Sequence, residues 1–185
     1  MPLPDALEIV DGRNRPLLVM PCAEALRQGL PHRAVALLPH LRGQFFLVRR
    51  RDLWDVAALA PLPAGESGAV TAQQLLDRLR LPPCSLRRIT LLPPEEGLPC
   101  FVELFAARLH TAPAFPDAWE ALAVDAATLD GLQRMPEAPL SALLRRLSPR
   151  LLRDYVPTAA AARRNRPHIS ACTRPLLATT SPPKA

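Results

Sequence analysis

The segment 67–81, SGAVTAQQLLDRLRL, has the most sharply defined ends of any part of this chain. A proline-rich loop, 61–65, comes before it, and Ser67 can cap a helix because its hydroxyl can accept a hydrogen bond from a backbone N–H group. Pro82 and Pro83 follow the segment, and proline cannot continue a helix. The sequence therefore predicts one helix of fixed position, around which the other elements must be arranged.

Short apolar runs separated by turn-forming residues predict strands ahead of this helix. Two runs that flank the turn sequence DGRN are typical of a β-hairpin. The expected elements are a hairpin, a short helix, two strands and an extended segment, at 7–20, 23–28, 34–38, 44–49 and 53–59.

The same patterns continue after the central helix. Strands are expected at 86–92, 100–110 and 121–124, followed by a helix that Asp125 could cap. Apolar residues at helical spacing predict a last helix from Leu140 to about Tyr155. This order of strands and helices predicts a mixed α/β domain, of the α+β kind, with three layers.

Composition bounds the class of protein. With 185 residues, 49% of them hydrophobic and 22% charged, the chain suits a soluble globular domain with one sizeable core. Its formal charge of +6 permits an anionic partner such as a phosphate ester. Arginine supplies nearly all of that charge, since Lys184 is the only lysine, and part of it lies in the C-terminal tail. An anion-binding function is allowed but not required.

The sequence gives no indication of export or of membrane insertion. Asp5 and Glu8 precede any apolar run, which argues against a signal peptide. No uninterrupted apolar stretch approaches the ~20 residues of a membrane span. The four cysteines form no Cys-x-x-Cys pair and have no zinc-ligand spacing with a histidine. We expect a cytoplasmic protein with reduced thiols and no membrane contact.

Several short strings occur in an order that resembles the Nudix family, in particular the branch that shares an N-terminal extension with isopentenyl-diphosphate isomerase. They are EIVDGRNRPL (8–17), LPHRAV (30–35), LVRR (47–50), LWDVAA (53–58), AGES (64–67) and WEALAVDAATLDGL (119–132). The resemblance implies a Nudix fold, a mixed sheet between helices with an N-terminal hairpin extension. It divides the chain into that extension (1–30), a Nudix-like domain (31–156) and a disordered basic tail (157–185).

The Nudix signature is G-x5-E-x7-R-E-U-x-E-E-x-G-U, where U is a bulky aliphatic residue. With its first glutamate placed at Glu66, the aliphatic position is kept as Leu76. The other positions carry residues of different chemistry, which are Ala60, Gln74, Leu75, Arg78, Leu79 and Leu81. The resemblance therefore holds for the frame of the box and for its first glutamate, and fails for the three glutamates that follow.

The family resemblance implies hydrolysis of a diphosphate by water, with Mg²⁺ neutralising the developing charge. Mg²⁺ requires oxygen ligands, and positions 75, 78 and 79 share one helix face. Two leucines bind no cation, and the Arg78 guanidinium repels one by on the order of 4 kcal/mol at about 4 Å and an effective dielectric of 20. The sequence predicts that metal-dependent hydrolysis is lost or weak.

Two alternatives remain open. In the first, Glu66, Glu103 and one of Glu95 or Glu96 form a relocated Mg²⁺ site, and the protein is an active diphosphate hydrolase. In the second, the chain is an interaction domain that offers the face of Leu75 and Leu79 to a protein partner. Isomerase activity is not favoured, because DVAALAPL has neither the cysteine nor the histidine which that activity implies.

The candidate ligand is a nucleotide or another phosphorylated small molecule. Arginines at strand ends and on the central helix could bind its phosphate, namely Arg33, Arg49, Arg50 and Arg78. Solvated strand ends in an arginine-biased protein are the alternative. The basic cluster 163–168 lacks interleaved aromatic residues, so nucleic acid is not the expected partner. A protein partner or a second copy of the chain remains open.

Overall fold

The computed structural model describes residues 3–82, 84–115, 119–147 and 152. The predicted tail (157–185) and the end of the last predicted helix, with Tyr155, lie outside these residues. No helix in the described ranges is long and apolar enough to cross a membrane.

The predicted N-terminal hairpin is confirmed. Strands β1 (Ala6–Val10) and β2 (Pro16–Pro21) pair in antiparallel fashion. The Asp11 carboxylate closes the turn by accepting the backbone N–H groups of Arg13 at 2.8 Å and Arg15 at 2.9 Å. The short helix α1 (Cys22–Arg27) follows and is closed by Gly29, whose φ of 63° suits glycine.

Strand β3 (His32–Leu41) is the centre of the sheet. It pairs in parallel with β8 (Cys100–Arg108) from His32–Cys100 to His40–Arg108. On its other side it pairs in antiparallel fashion with β6 (Ala58–Pro61) and, at its end, with β4 (Gln44–Arg50). It also meets the hairpin, where Ile9 pairs with His32.

The remaining strands extend the sheet from these partners. Strand β7 (Ser85–Leu92) pairs with β8, and β4 pairs with β5 (Leu53–Asp55) and β9 (Ala121–Asp125). The segment 53–59, expected to be continuously extended, is two short strands. The two strands pair with different neighbours, β5 with β4 and β6 with β3, and between them the Asp55 carboxylate accepts the N–H of Val56 at 2.8 Å.

Helices cover both faces of the sheet. Helix α2 (Gly68–Arg78) packs with Val35 and Leu37 of β3 on one face, and helix α3 (Ala126–Gln133) packs with the alternate residues on the other. The predicted caps are present: the Ser67 hydroxyl accepts the N–H of Val70 at 3.4 Å, and the Asp125 carboxylate accepts that of Thr128 at 2.7 Å. This is the predicted α+β arrangement of three layers.

The last predicted helix is shorter at its start than expected. Helix α4 runs over Ala142–Arg146, and Leu140 instead bridges to Trp54 of β5. Ser141 sets the start, because its hydroxyl accepts the N–H of Leu144 at 3.2 Å and donates to the Asp55 carboxylate at 2.7 Å. Leu147 then has extended backbone, with ψ of 115°.

Arg33 links strand β3 to the N-terminal hairpin through side-chain hydrogen bonds. Its half-buried guanidinium donates to the Glu8 carboxylate at 2.9 Å and to the side chain and backbone carbonyl of Asn14 at 2.9 and 2.8 Å. These contacts join β3 to strand β1 and to the turn of the hairpin. Arg33, a predicted phosphate-binding residue, therefore uses its guanidinium for contacts within the fold.

The variant Arg33→Ala should lower the free energy of unfolding by about 1–3 kcal/mol, because it leaves the partly buried Glu8 carboxylate without its partner. Arg27→Ala is the matched control, since it removes an exposed pair with Glu24 within one helix and should cost under ~1 kcal/mol. Urea denaturation measures both values. Equal losses would show that Arg33 does not join the hairpin to the sheet.

Candidate functional site

A cleft of about 570 Å³ lies between the start of the chain, strand β6 and helix α2. Its walls include Leu3 to Ala6 on one side and Leu59 to Pro61 on another. Five of the residues that the Nudix signature singled out line it, namely Ala60, Glu66, Gln74, Leu75 and Arg78. The other three, Leu76, Leu79 and Leu81, are buried in the core beneath α2.

One face of α2 forms a wall of this cleft. Thr71, Gln74, Leu75 and Arg78 are three or four residues apart, so their side chains follow one another along the helix. The Glu66 carboxylate accepts hydrogen bonds from the Thr71 hydroxyl at 3.2 Å and from the Gln74 amide at 3.4 Å. The carboxylate at the first glutamate position of the signature is therefore hydrogen-bonded to side chains of α2 itself.

Arg78 differs from its neighbours in being both exposed and unpaired. The structure gives its guanidinium no hydrogen bond or ion pair among the described residues. It is also the only positively charged residue in the described lining of the cleft, where the acidic residues are Asp5 and Glu66. The cleft thus has a free cationic group one turn beyond Gln74.

Glu103 lies against the first turn of the same helix. It is on β8, and a Cβ atom added to Gly68 would come within 2.5 Å of its Oε2 atom. Its carboxylate is also 3.6 Å from the guanidinium of Arg88. The Glu103 carboxylate occupies the space that a side chain at position 68 would take, so a larger residue there would have to displace it.

Glu95 and Glu96 lie elsewhere. The Glu95 carboxylate pairs at 3.0 Å with Arg146 of α4, on the opposite face of the sheet from α2, and Glu96 is exposed in the turn beside it. Within the described residues no group of three or more acidic, histidine or cysteine side chains could hold a metal ion. The structure does not gather the four predicted carboxylates.

The donor set of the cleft does not fit Mg²⁺. Leu75 and Leu79 are 1% and 8% exposed and pack in the core, and Arg78 is cationic. Mg²⁺ requires several oxygen ligands in octahedral geometry, and neither hydrocarbon nor guanidinium supplies one. The acidic residues of the cleft, Asp5 and Glu66, belong to no group of three or more ligating side chains within the described residues. The same burial rules out the hypothesis of an apolar docking face at Leu75 and Leu79.

Three of the four predicted phosphate-binding arginines are held in other contacts. Arg33 binds the hairpin, and Arg49 pairs with Glu120 at 3.0 Å. The Arg50 guanidinium donates to the carbonyl of Ala57 at 2.6 Å and lies over the ring of Trp119 at 5.3 Å. None of the three lines the cleft. Of the predicted set, Arg78 alone does so.

Comparison with known proteins relies on structure, because no family model and no curated protein matches the sequence. A crystal structure of DR0079 from Deinococcus radiodurans superposes with a TM-score of 0.62, covering 76% of this chain and 97% of the other at 20% identity. A structure of a hydrolase of ADP compounds superposes with a TM-score of 0.50, covering 82% and 84% at 12% identity. The chain has the Nudix fold. At these identities the likeness concerns the fold alone.

Within the Nudix fold, the loop and helix between β6 and β7 are the segment to which the signature was aligned. Sequence reasoning missed two parts of the cleft that this segment forms. Thr71 could have been found, because it precedes Gln74 by three residues on the same helix face. The wall made by Leu3 to Ala6 could not, because it depends on where the hairpin is placed in space.

The contact between Glu103 and position 68 predicts opposite effects for two glycine substitutions. Gly131→Ala, in α3, meets nothing within 4 Å and should stabilise the protein by about 0.5–1 kcal/mol. Gly68→Ala should instead lower stability by roughly 1 kcal/mol, because its methyl group displaces the carboxylate. Thermal unfolding compares the two. A stabilisation of equal size in both variants would contradict the packing of Glu103 on Gly68.

Proposed function

We propose that this Nudix-fold chain binds a nucleotide or another phosphorylated small molecule in the α2 cleft without hydrolysing it by a metal-dependent route. One observation carries the proposal: the helix face that the signature would fill with glutamates presents Leu75 and Arg78 to the cleft. Such a face favours an anion and disfavours a divalent cation. The cleft, of about 570 Å³, is of the size that small-molecule sites have.

The state of Glu66 supports binding rather than catalysis. This carboxylate accepts hydrogen bonds from Thr71 and Gln74, whose groups come from the same helix. A metal-activated water needs several convergent carboxylates, and the next one along, Glu103, is directed to Gly68 and Arg88. Neither group is arranged as a member of a ligand set.

The name of one structural neighbour suggests which compounds to try first. It is a hydrolase of ADP compounds, and its fold is that of this chain. ADP and compounds that contain it are therefore suitable first probes, together with other nucleoside diphosphates. They bring a diphosphate, a sugar and a base, each of which can be omitted in turn.

The decisive measurement is calorimetric titration with Mg²⁺ and Mn²⁺, combined with an assay of phosphate and nucleoside monophosphate release. We expect no metal binding tighter than about millimolar and no hydrolysis above the uncatalysed rate, because the two acidic residues of the cleft, Asp5 and Glu66, belong to no group of three or more metal-binding side chains among the described residues. At least one phosphorylated compound should bind to the metal-free protein.

Hydrolysis at ordinary enzymatic rates would overturn the proposal in favour of relocated ligands. The double variant Glu66→Gln/Glu103→Gln would then identify them, since these two carboxylates adjoin the first turns of α2. Glu95→Gln/Glu96→Gln is its control, because Glu95 pairs with Arg146 on the other face of the sheet. Failure of every phosphorylated compound to bind would also overturn the proposal, because the cleft would then not be a site for such ligands.

A further inference from the structure

The electrostatics of the cleft suggest what replaces the metal. Arg78 stands where the signature has a glutamate, and its exposed guanidinium has no partner among the described residues. A glutamate there would hold a cation, and that cation would hold the diphosphate. An arginine places positive charge at the cleft directly, without an intervening ion.

We infer that Arg78 takes over the role of the divalent cation, so that the cleft binds the diphosphate of a nucleotide in its metal-free form and Mg²⁺ weakens the binding. This inference rests on the proposed function. Guanidinium binds phosphate oxygens in bidentate fashion, and a diphosphate offers such oxygens when no metal chelates it. A Mg²⁺-chelated diphosphate has less negative charge and would bring a second cation towards Arg78.

The acidic residues set the orientation of the ligand. Glu66 contacts Gln74, and Arg78 is one helical turn further on, about 5–6 Å away along the helix. Phosphate is repelled by Glu66 and attracted by Arg78, so the diphosphate belongs at the Arg78 end. Carboxylates accept hydrogen bonds from hydroxyl groups, so the sugar belongs at the Glu66 end. The ligand class is a diphosphate joined to a hydroxylated sugar.

The test uses ADP and inorganic pyrophosphate as probes, titrated by calorimetry into the full-length protein with EDTA and again with excess Mg²⁺. In EDTA, Arg78→Gln should weaken ADP binding at least about tenfold, the loss expected for one charge-assisted contact. Arg80→Gln is the matched control and should change affinity less than about twofold, because Arg80 is exposed at the same helix end but does not line the cleft.

The effect of Mg²⁺ on ADP affinity tests this inference separately from the proposed function. For the unmodified protein, excess Mg²⁺ should weaken ADP binding several-fold, and this loss should shrink in Arg78→Gln. Arg78→Lys should retain part of the affinity, because it keeps the charge and loses the bidentate geometry. Thermal unfolding of each variant checks that the fold is kept, as expected for an exposed side chain.

Three outcomes would overturn the inference. Binding that Mg²⁺ strengthens, binding of ADP unaffected by Arg78→Gln, or failure of both ADP and pyrophosphate to bind in EDTA would each do so. In the first two cases a phosphorylated ligand still binds, so the proposed function stands while the role of Arg78 falls. Hydrolysis or the absence of any phosphorylated ligand would remove the proposed function itself.

Discussion

The parallel pairing of β3 with β8, continuous from His32–Cys100 to His40–Arg108, determines the position of the other elements. Side chains alternate across both strands, so each strand contributes to two cores at once. Helix α2 is held on one face and α3 with α4 on the other. The cleft exists because α2 is fixed by this sheet on one side and meets the N-terminal segment on the other.

The side chains that line the cleft are of two kinds, those that pack in the core and those that do not. Leu75 is almost wholly buried and belongs as much to the core as to the cleft, whereas Arg78 makes no contact that the fold requires. Stability and the proposed ligand binding therefore depend on different residues of one helix. Glu66 and Glu103 do not fall into either group, because each carboxylate contacts the first turns of α2.

The elements could be predicted where the signal was local. Ser67 and Asp125 fixed helix starts, and alternating apolar runs located most strands. Leu140 was wrongly assigned to a helix, because its pairing with Trp54 and the cap at Ser141 depend on distant parts of the chain. The alignment to the Nudix box found five cleft residues, but the ion pairs that occupy Arg33, Arg49 and Glu95 join elements far apart in sequence and leave no local pattern.

The burial of Leu75 and Leu79 also has an evolutionary consequence. A glutamate introduced at either position would place a carboxylate among hydrocarbon side chains, at a cost of several kcal/mol before any metal could compensate for it. A single such mutation would be selected against for its effect on folding, although several would be needed together to create a cation site. The packing beneath α2 thus opposes any change of these leucines to metal-binding glutamates one substitution at a time.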